Sequence, residues 1–182
     1  MKQTKTSGTN IRNSYSIIKS PINDLMLVAG DSALIGVYFV GRDHLPAASK
    51  KWKLNAQHPV LQQAARQLHE YFVGKRTEFS LPLRLAGTDF QQSVWREIAL
   101  LPYGETISYS DLAKRASAPQ AIRAAGAATG RNPVSIIIPC HRVVGKNGTL
   151  GGFAGGLERK RHLLALENSA PKPVKKRKAA SK

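Results

Sequence analysis

The chain has 182 residues, enough for one or two small domains, and its 42% hydrophobic content can fill a core but falls short of a membrane protein. No apolar run approaches the roughly 18 residues of a spanning helix, and residues 1–12 lack the apolar stretch of a secretory signal, so a cytoplasmic protein without membrane contact is expected. The formal net charge is +17; six of the cations lie in residues 170–182 with no acid among them, which leaves +11 on residues 1–169. A body this basic favours a polyanionic partner, and without a long basic amphipathic helix in the pattern that partner is nucleic acid rather than a membrane surface.

In chain order, residues 1–13 are polar and expected to be disordered. Residues 14–86 pattern as a small α+β domain. Stretches 14–19, 25–29 and 33–40 read as strands, separated by the turn chemistry of Asn23-Asp24 and Gly30-Asp31-Ser32, which implies an antiparallel meander. Pro59 opens a helix running to Phe72, with Gly74 as its stop; Leu61, Ala64, Ala65, Leu68 and Phe72 share one face. Residues 78–83 read as a further strand. This half gathers no catalytic residue types and reads as structural, with His44, His58 and His69 as surface or edge histidines.

Residues 87–168 read as a second, mainly helical domain. Thr88 followed three residues later by Gln91 is a capping box, and Phe90, Val94, Ile98 and Leu101 behind it form an apolar face that ends at Pro102-Tyr103-Gly104. Ser110 is expected to cap a short helix to Ala116, and Pro119 to start another to Thr129, closed by Gly130, Asn132 and Pro133. Two short helices joined by a turn outline a helix-turn-helix. Residues 157–167 form a last helix, and 169–182, with Pro171, Pro173 and the lysines, read as a basic disordered tail.

The second helix of the pair is nearly bare. Ala121, Ala124, Ala125, Gly126, Ala127 and Ala128 leave Arg123 as the one protruding group. Such a helix is either a tightly packed structural element or a smooth surface that approaches a nucleic-acid groove and inserts one arginine. Few polar side chains reach out to read base edges, so the second reading means sequence-independent docking in the minor groove. Beyond it, Ile136-Ile137-Ile138-Pro139 leads to Cys140, His141 and Arg142. Cys140 is the sole cysteine, which excludes an internal disulfide and a cysteine-based zinc site. It is either a small buried hydrophobe or a nucleophile whose thiolate is favoured by His141 and Arg142. Neighbours on an extended strand point to opposite faces, so direct help from His141 needs a bridging water or a bend after Pro139.

Pro139-Cys140-His141-Arg142-Val143 resembles the active-site signature of the O6-alkylguanine-DNA alkyltransferases, or methylated-DNA–protein-cysteine methyltransferases. The resemblance extends over residues 87–167 almost without gaps and takes in Phe90 with Val94-Trp95, Pro102-Tyr103-Gly104 with Ile107-Ser108-Tyr109, Ala121 with Arg123-Ala124, Gly130 with Asn132-Pro133, and Gly151-Gly152-Phe153-Ala154-Gly155-Gly156-Leu157. Residues 14–86 fit the pattern of that family's ribonuclease-H-like N-terminal domain, so the fold expected is α+β: an antiparallel sheet domain followed by a helical one with a helix-turn-helix. The resemblance implies that Cys140 accepts an alkyl group from O6-alkylguanine in double-stranded DNA, with O4-alkylthymine as a second candidate lesion. It implies that His141 takes the thiol proton through a water, Glu167 orients His141, and Asn132 ties the recognition helix to the active-site turn. Tyr109 would bear on the flipped nucleotide's phosphate and protonate the leaving guanine, while Arg123 fills the gap in the base stack. Ala124, Gly126, Arg131 and Ser110 are assigned to the DNA face. Val143, Ser135, Phe153 and Ala154 are assigned to the substrate pocket, where carbonyls near Cys140 and Val143 and the amide of Ala154 read the guanine edge.

Ser135 stands where some members carry proline and Ala154 where some carry serine, and both bear on the size of alkyl group accepted. The expected protein acts once, as a monomer, with no metal and no cofactor; the chain has no phosphate-binding loop and no dinucleotide-binding glycine pattern. If Cys140, His141 and Glu167 act as one unit, Cys140 is expected to be substantially ionised near neutral pH. Two other readings are a helix-turn-helix binder with Cys140 in its core and a cysteine hydrolase. Relatives that bind alkylated DNA without repairing it lack this cysteine, and a hydrolase leaves the basic body and the bare helix without a role.

Overall fold

The computed structural model describes residues 13–41 and 45–169. The expectations for the two chain ends fall mostly outside these residues, as does His44. Three strands lie where the turn chemistry puts them: β1 (Ser14–Ile18), β2 (Leu25–Ala29) and β3 (Leu34–Phe39), paired antiparallel in order. Asn23 adopts a left-handed φ of 81° in the first turn, a conformation asparagine tolerates better than most residues. The pattern missed a two-residue strand, β4 (Lys53–Leu54), which pairs parallel with β1 and completes the order β3-β2-β1-β4. Residues 78–83 make no strand. They reach β3 through a single bridge between Leu34 and Leu83, with the Leu34 amide donating to Pro82 and the Arg84 amide to Leu34. Pro82 has no amide proton to extend the ladder.

Helix α1 (Pro59–Phe72) covers one face of the sheet. Leu61, Ala64 and Leu68 are buried with Leu25, Leu27, Val37 and Phe39, and Tyr71 joins them at full burial. Helix α2 (Asp89–Ala99) carries the predicted capping box in full. Helix α3 (Tyr109–Arg115) follows a two-residue strand β5 (Ile107–Ser108), and α4 (Ile122–Gly130) packs on α2 and α3. Two boundaries differ from expectation. Ser108, not Ser110, caps α3: its hydroxyl accepts from the Asp111 amide, while Ser110 lies inside the first turn with its hydroxyl 2.8 Å from that of Ser108. Pro119 does not begin α4, which starts three residues later, because Ala121 is still non-helical at φ −94°, ψ 35°. A strand β6 (Val143–Val144) pairs parallel with β5, and α5 (Leu157–Ser169) closes the described chain.

Two hydrophobic cores result, one between the sheet and α1 and one among α2, α3 and α4. The segment from Val134 to Val143 belongs to both. Val134, Ile136 and Ile137 pack into the first, and Ile138, Cys140 and Val143 into the second. It is also stitched to the sheet, with the Val37 amide donating to Pro133 and the Ser135 amide to Val37.

Candidate active site around Cys140

The residues before Cys140 are not extended. Ile136 has a left-handed φ of 74° and the Ile137 amide donates to the Ser135 carbonyl, so a three-residue γ-turn of the rarer hand is centred on a β-branched residue. That conformation costs of order 1–3 kcal/mol and persists because Ile136 is almost fully buried. A second three-residue turn follows at once. Pro139 sits at φ −79°, ψ 62°, and the Cys140 amide donates to Ile138. One turn of 3-10 helix then spans Cys140–Arg142. These reversals bend the chain sharply on either side of Pro139. Asn132 braces them: its side-chain amide donates to the Ile138 carbonyl at 2.8 Å, and its oxygen accepts from the Val134 amide. The end of α4 is thereby tied to the turn that presents the cysteine.

Behind the turn lies a buried charge cluster on Glu167. The His141 Nε2 lies 2.7 Å from Glu167 Oε1. Arg142 donates from Nε to Oε2 and from Nη2 to Oε1, and its Nη1 donates to the Leu101 carbonyl. Tyr71 donates its hydroxyl to Oε1 at 2.8 Å and the Gly104 amide donates to Oε2. Gly104 needs its lack of a side chain here, with φ +73° and the Glu167 carbonyl 3.2 Å from where a Cβ would stand. Burial opposes ionisation of Glu167, but the hydrogen bonds and charges of His141 and Arg142 outweigh it and hold the carboxyl at about 2. An ionised Glu167 accepts, so Nε2 of His141 carries the ring proton and Nδ1 is left as an acceptor; Nδ1 is buried without a hydrogen-bond partner. Burial holds the imidazole below its ordinary value, against the hydrogen bond and charge of Glu167.

The expectation of a resting thiolate is overturned. Cys140 is 3% exposed, and burial pushes its thiol up; Asn132, the Lys160 charge and nearby backbone amides oppose this without cancelling it. The folded protein therefore holds a neutral thiol beside a neutral imidazole, and the proton has to move when the thiol attacks.

Lys160 is a residue the motif reading missed. It is fully buried, donates from Nζ to the Val143 carbonyl at 2.6 Å and to Gly151 at 3.3 Å, and lies 5.9 Å from the centre of the Tyr109 ring. Its position in α5 holds the available signal: Lys160, Leu163 and Glu167 fall at i, i+3 and i+7, one helix face, so a lysine there is turned inward. Tyr71 was missed for a different reason. It comes from the half of the chain read as purely structural, and only folding brings it to the carboxylate. Tyr71→Phe removes one hydrogen bond to a buried charge, so a loss of about 2 kcal/mol in urea unfolding is expected with DNA binding intact; an unchanged midpoint means the contact contributes nothing.

A cavity of about 530 Å³ opens between α4 and the loop before α5, lined by Tyr109, Arg123, Gly126, Gly152, Phe153 and Ala154 among others; Cys140 is not among its lining residues. Tyr109 donates its hydroxyl to the Gly152 carbonyl, and its ring lies so close over Gly151 that a Cβ there would stand 2.7 Å from it. Arg123 and Ala124 are exposed on α4, and Gly126 is half-buried against Tyr109. Several other expected site residues lie outside this cavity, Ser135, Val143 and Arg131 among them. Ser135 is 4% exposed at the junction with β3 and does not line this cavity. Val143 is buried in the helical core, with its carbonyl already accepting from Lys160. Arg131 is exposed at the end of α4 but lines a different cavity, on the sheet side.

Comparison with known proteins agrees along the chain. Residues 13–85 match the model for the 6-O-methylguanine DNA methyltransferase ribonuclease-like domain, and residues 89–169 the model for the DNA binding domain of the same family. A methylated-DNA–protein-cysteine methyltransferase of Mycobacterium tuberculosis is 44% identical over 155 residues, covering 85% of this chain and 92% of the relative. One from Methanosarcina acetivorans is 42% identical over 155 residues, covering 85% and 98%. The crystal structure of the M. tuberculosis O6-methylguanine methyltransferase superposes with a TM-score of 0.81 at 42% identity, over 89% of this chain and 96% of that one. Its complex with DNA gives 0.79 at 44% identity, over 87% and 95%. Two matching domain models in order, and relatives this similar over nearly their full length, establish that the chain belongs to the family of methylated-DNA–protein-cysteine methyltransferases.

Proposed function

We infer that this protein reverses DNA alkylation directly, by moving an alkyl group from the O6 atom of a damaged guanine onto Cys140, once per molecule. The observation that carries the reading is the unpartnered Nδ1 of His141. A buried histidine whose Nε2 is anchored to an ionised Glu167 keeps a free basic nitrogen next to the sole cysteine. That is the arrangement of an activated nucleophile with an oriented base.

The O6 atom of guanine is paired within the duplex, so the nucleotide must be flipped into a pocket, at a cost of a few kcal/mol that falls when alkylation has weakened pairing. The cavity under α4 is the receiving pocket, with Phe153 and Ala154 in its wall. Arg123 replaces the departed base, and Ala124 and Gly126 keep α4 smooth enough to approach the groove. As the sulfur attacks the alkyl carbon, its proton passes through a bridging water to His141 Nδ1. The S–C bond forms, the C–O bond breaks, and the electron pair leaves with guanine, which takes a proton from Tyr109 and departs neutral. Asn132 holds the turn in line. Lys160 lends its charge to the developing thiolate and positions the Val143 carbonyl, whose second lone pair remains for the guanine edge. A thioether is not hydrolysed, and no second cysteine stands by to exchange with it. On this reading the protein is a cytoplasmic monomer, associated with the nucleoid in a bacterial cell.

Intact-mass spectrometry after mixing with duplex DNA carrying one O6-methylguanine tests this. A gain of one methyl mapped to Cys140 is expected; no gain, or a gain elsewhere, defeats the reading. Arg123 gives a second test. Extrusion is needed only in a duplex, so Arg123→Ala slows duplex repair by about tenfold or more, a share of the flipping cost, and leaves reaction with free O6-methylguanine unchanged. Equal losses on both substrates rule out a role in flipping.

A further inference from the structure

A second cavity, larger than the one beneath α4, lies apart from it. A trough of about 700 Å³ lies on the other side of the helix end, between the sheet and residues 130–133, and the two cavities share Gly130. Its floor is aromatic. Tyr38 alternates along β3 with Val37 and Phe39, which face α1, so its ring lies on the opposite face of the sheet. There it stacks with Trp52 at 6.1 Å between ring centres and 25° between planes, over Gly36, where any Cβ would collide with the tyrosine ring. Two guanidiniums flank it: Arg84, laid across Gly30, and Arg131, the residue that ends α4. Both are exposed, neither is in a salt bridge among the described residues, and no acid lines the trough. The wall also holds one donor and one acceptor, Trp52 Nε1 and Asn13 Oδ1, both buried without a partner.

Arg123, Ala127 and Gly130 run along the exposed side of α4, so a duplex docked there extends toward the mouth of the trough. Cations without carboxylate partners suit a phosphate backbone, and an aromatic platform suits the π-face of a base, which a paired duplex does not offer. We propose that the trough is a second DNA site, taking an unpaired nucleotide of the strand that leaves the duplex on α4, with its base on Tyr38 and Trp52 and its phosphates on Arg84 and Arg131. The N-terminal domain then prefers lesions next to single-stranded DNA. This rests on docking of DNA at α4, which a blunt duplex reports by itself.

The test compares binding of the full chain to a short blunt duplex and to the same duplex with a single-stranded oligothymidine extension of either polarity, with reaction of free O6-methylguanine as a check on folding. One extension is expected to tighten binding by about tenfold, the scale of one stacked base. Trp52→Leu and Arg84→Ala are expected to abolish that gain while blunt-duplex affinity and free-base reaction stay at wild-type levels. If Trp52→Leu loses free-base reaction through misfolding, the exposed Arg84→Ala decides. Equal affinity of the wild type for all the duplexes, or a gain that survives Arg84→Ala, overturns the proposal. A gain that emerges only after deletion of residues 1–12 also overturns it, by assigning the trough to the chain's own N-terminal segment.

Discussion

Cys140→Ser ends alkyl transfer altogether and leaves binding to undamaged duplex unchanged. Serine is close in volume and fits the helical core around position 140, but its hydroxyl does not ionise at neutral pH and is a far weaker nucleophile than sulfur. The DNA face on α4 is built from other residues, so binding survives. The pH dependence of single-turnover transfer separates the roles further. The wild-type thiol is held above its usual range and the His141 imidazole below its own. Between those two values both groups are neutral, and the thiol proton passes to Nδ1 during attack. The wild-type rate is therefore flat across neutral pH and falls on the acid side, where the imidazole takes its own proton. His141→Ala has only the thiolate fraction to draw on, so its rate climbs by about tenfold per pH unit through neutrality. A flat profile in His141→Ala shows that the histidine is not the proton acceptor. Methyl transfer to Cys140→Ser refutes the acceptor assignment, and sustained turnover by the wild type on excess damaged DNA refutes single use.

Glu167→Gln carries the second large effect, on stability as well as rate. The carboxylate accepts from His141, twice from Arg142, from Tyr71 and from the Gly104 amide. An amide has one acceptor oxygen, and its NH2 group faces donors. Arg142, at 5% exposure, is left as a buried cation with no counter-charge. Breaking a buried pair from one side costs about 3–5 kcal/mol, and urea unfolding of Glu167→Gln is expected to show a loss of that order. The same carboxylate makes the wild type acid-sensitive. Folding lowers Glu167 from an ordinary 4.5 to about 2. A depressed acid contributes stability that is fully present above 4.5 and lost as pH falls toward 2. At 1.36 kcal/mol per unit this amounts to of order 3 kcal/mol. Between pH 5 and pH 2 the wild type is expected to lose stability more steeply than Glu167→Gln, and parallel losses rule out Glu167 as the titrating group. The variant also transfers more slowly at neutral pH, because a neutral amide holds the Nε2 proton less firmly than a carboxylate and stabilises the charged imidazole less. A wild-type pH–rate profile in Glu167→Gln removes Glu167 from the proton relay while leaving Cys140 as acceptor.

The sequence by itself determined the pieces whose physics is local. Strand-like stretches bounded by turn residues located β1, β2 and β3 to within a residue at each end, and Thr88 with Gln91 marked the start of α2, because a cap is decided by residues three apart. The lone Cys140 beside His141, the bare helix with Arg123 and the basic body all stood in the chain as written, and the ordered motifs of residues 87–167 pointed to the family that the comparisons establish. Local reasoning failed where long-range packing overrode it. Residues 78–83 have strand-like composition, but Pro82 and a single contact with β3 leave them unpaired, and Pro119 precedes α4 without starting it.

Only the tertiary structure decided how the thiol is held. A left-handed Ile136 is unfavourable for any β-branched residue considered alone, and it persists because two hydrophobic cores grip the chain on either side of it. The cluster on Glu167 draws on Tyr71, Gly104, His141 and Arg142, and Tyr71 lies 96 residues away in sequence. No spacing rule reaches that far. The ionisation of Cys140 was misjudged for the same reason. Adjacent His and Arg argue for a thiolate, but burial is a property of the whole fold, and here the desolvation of a nearly inaccessible sulfur outweighs the charges beside it.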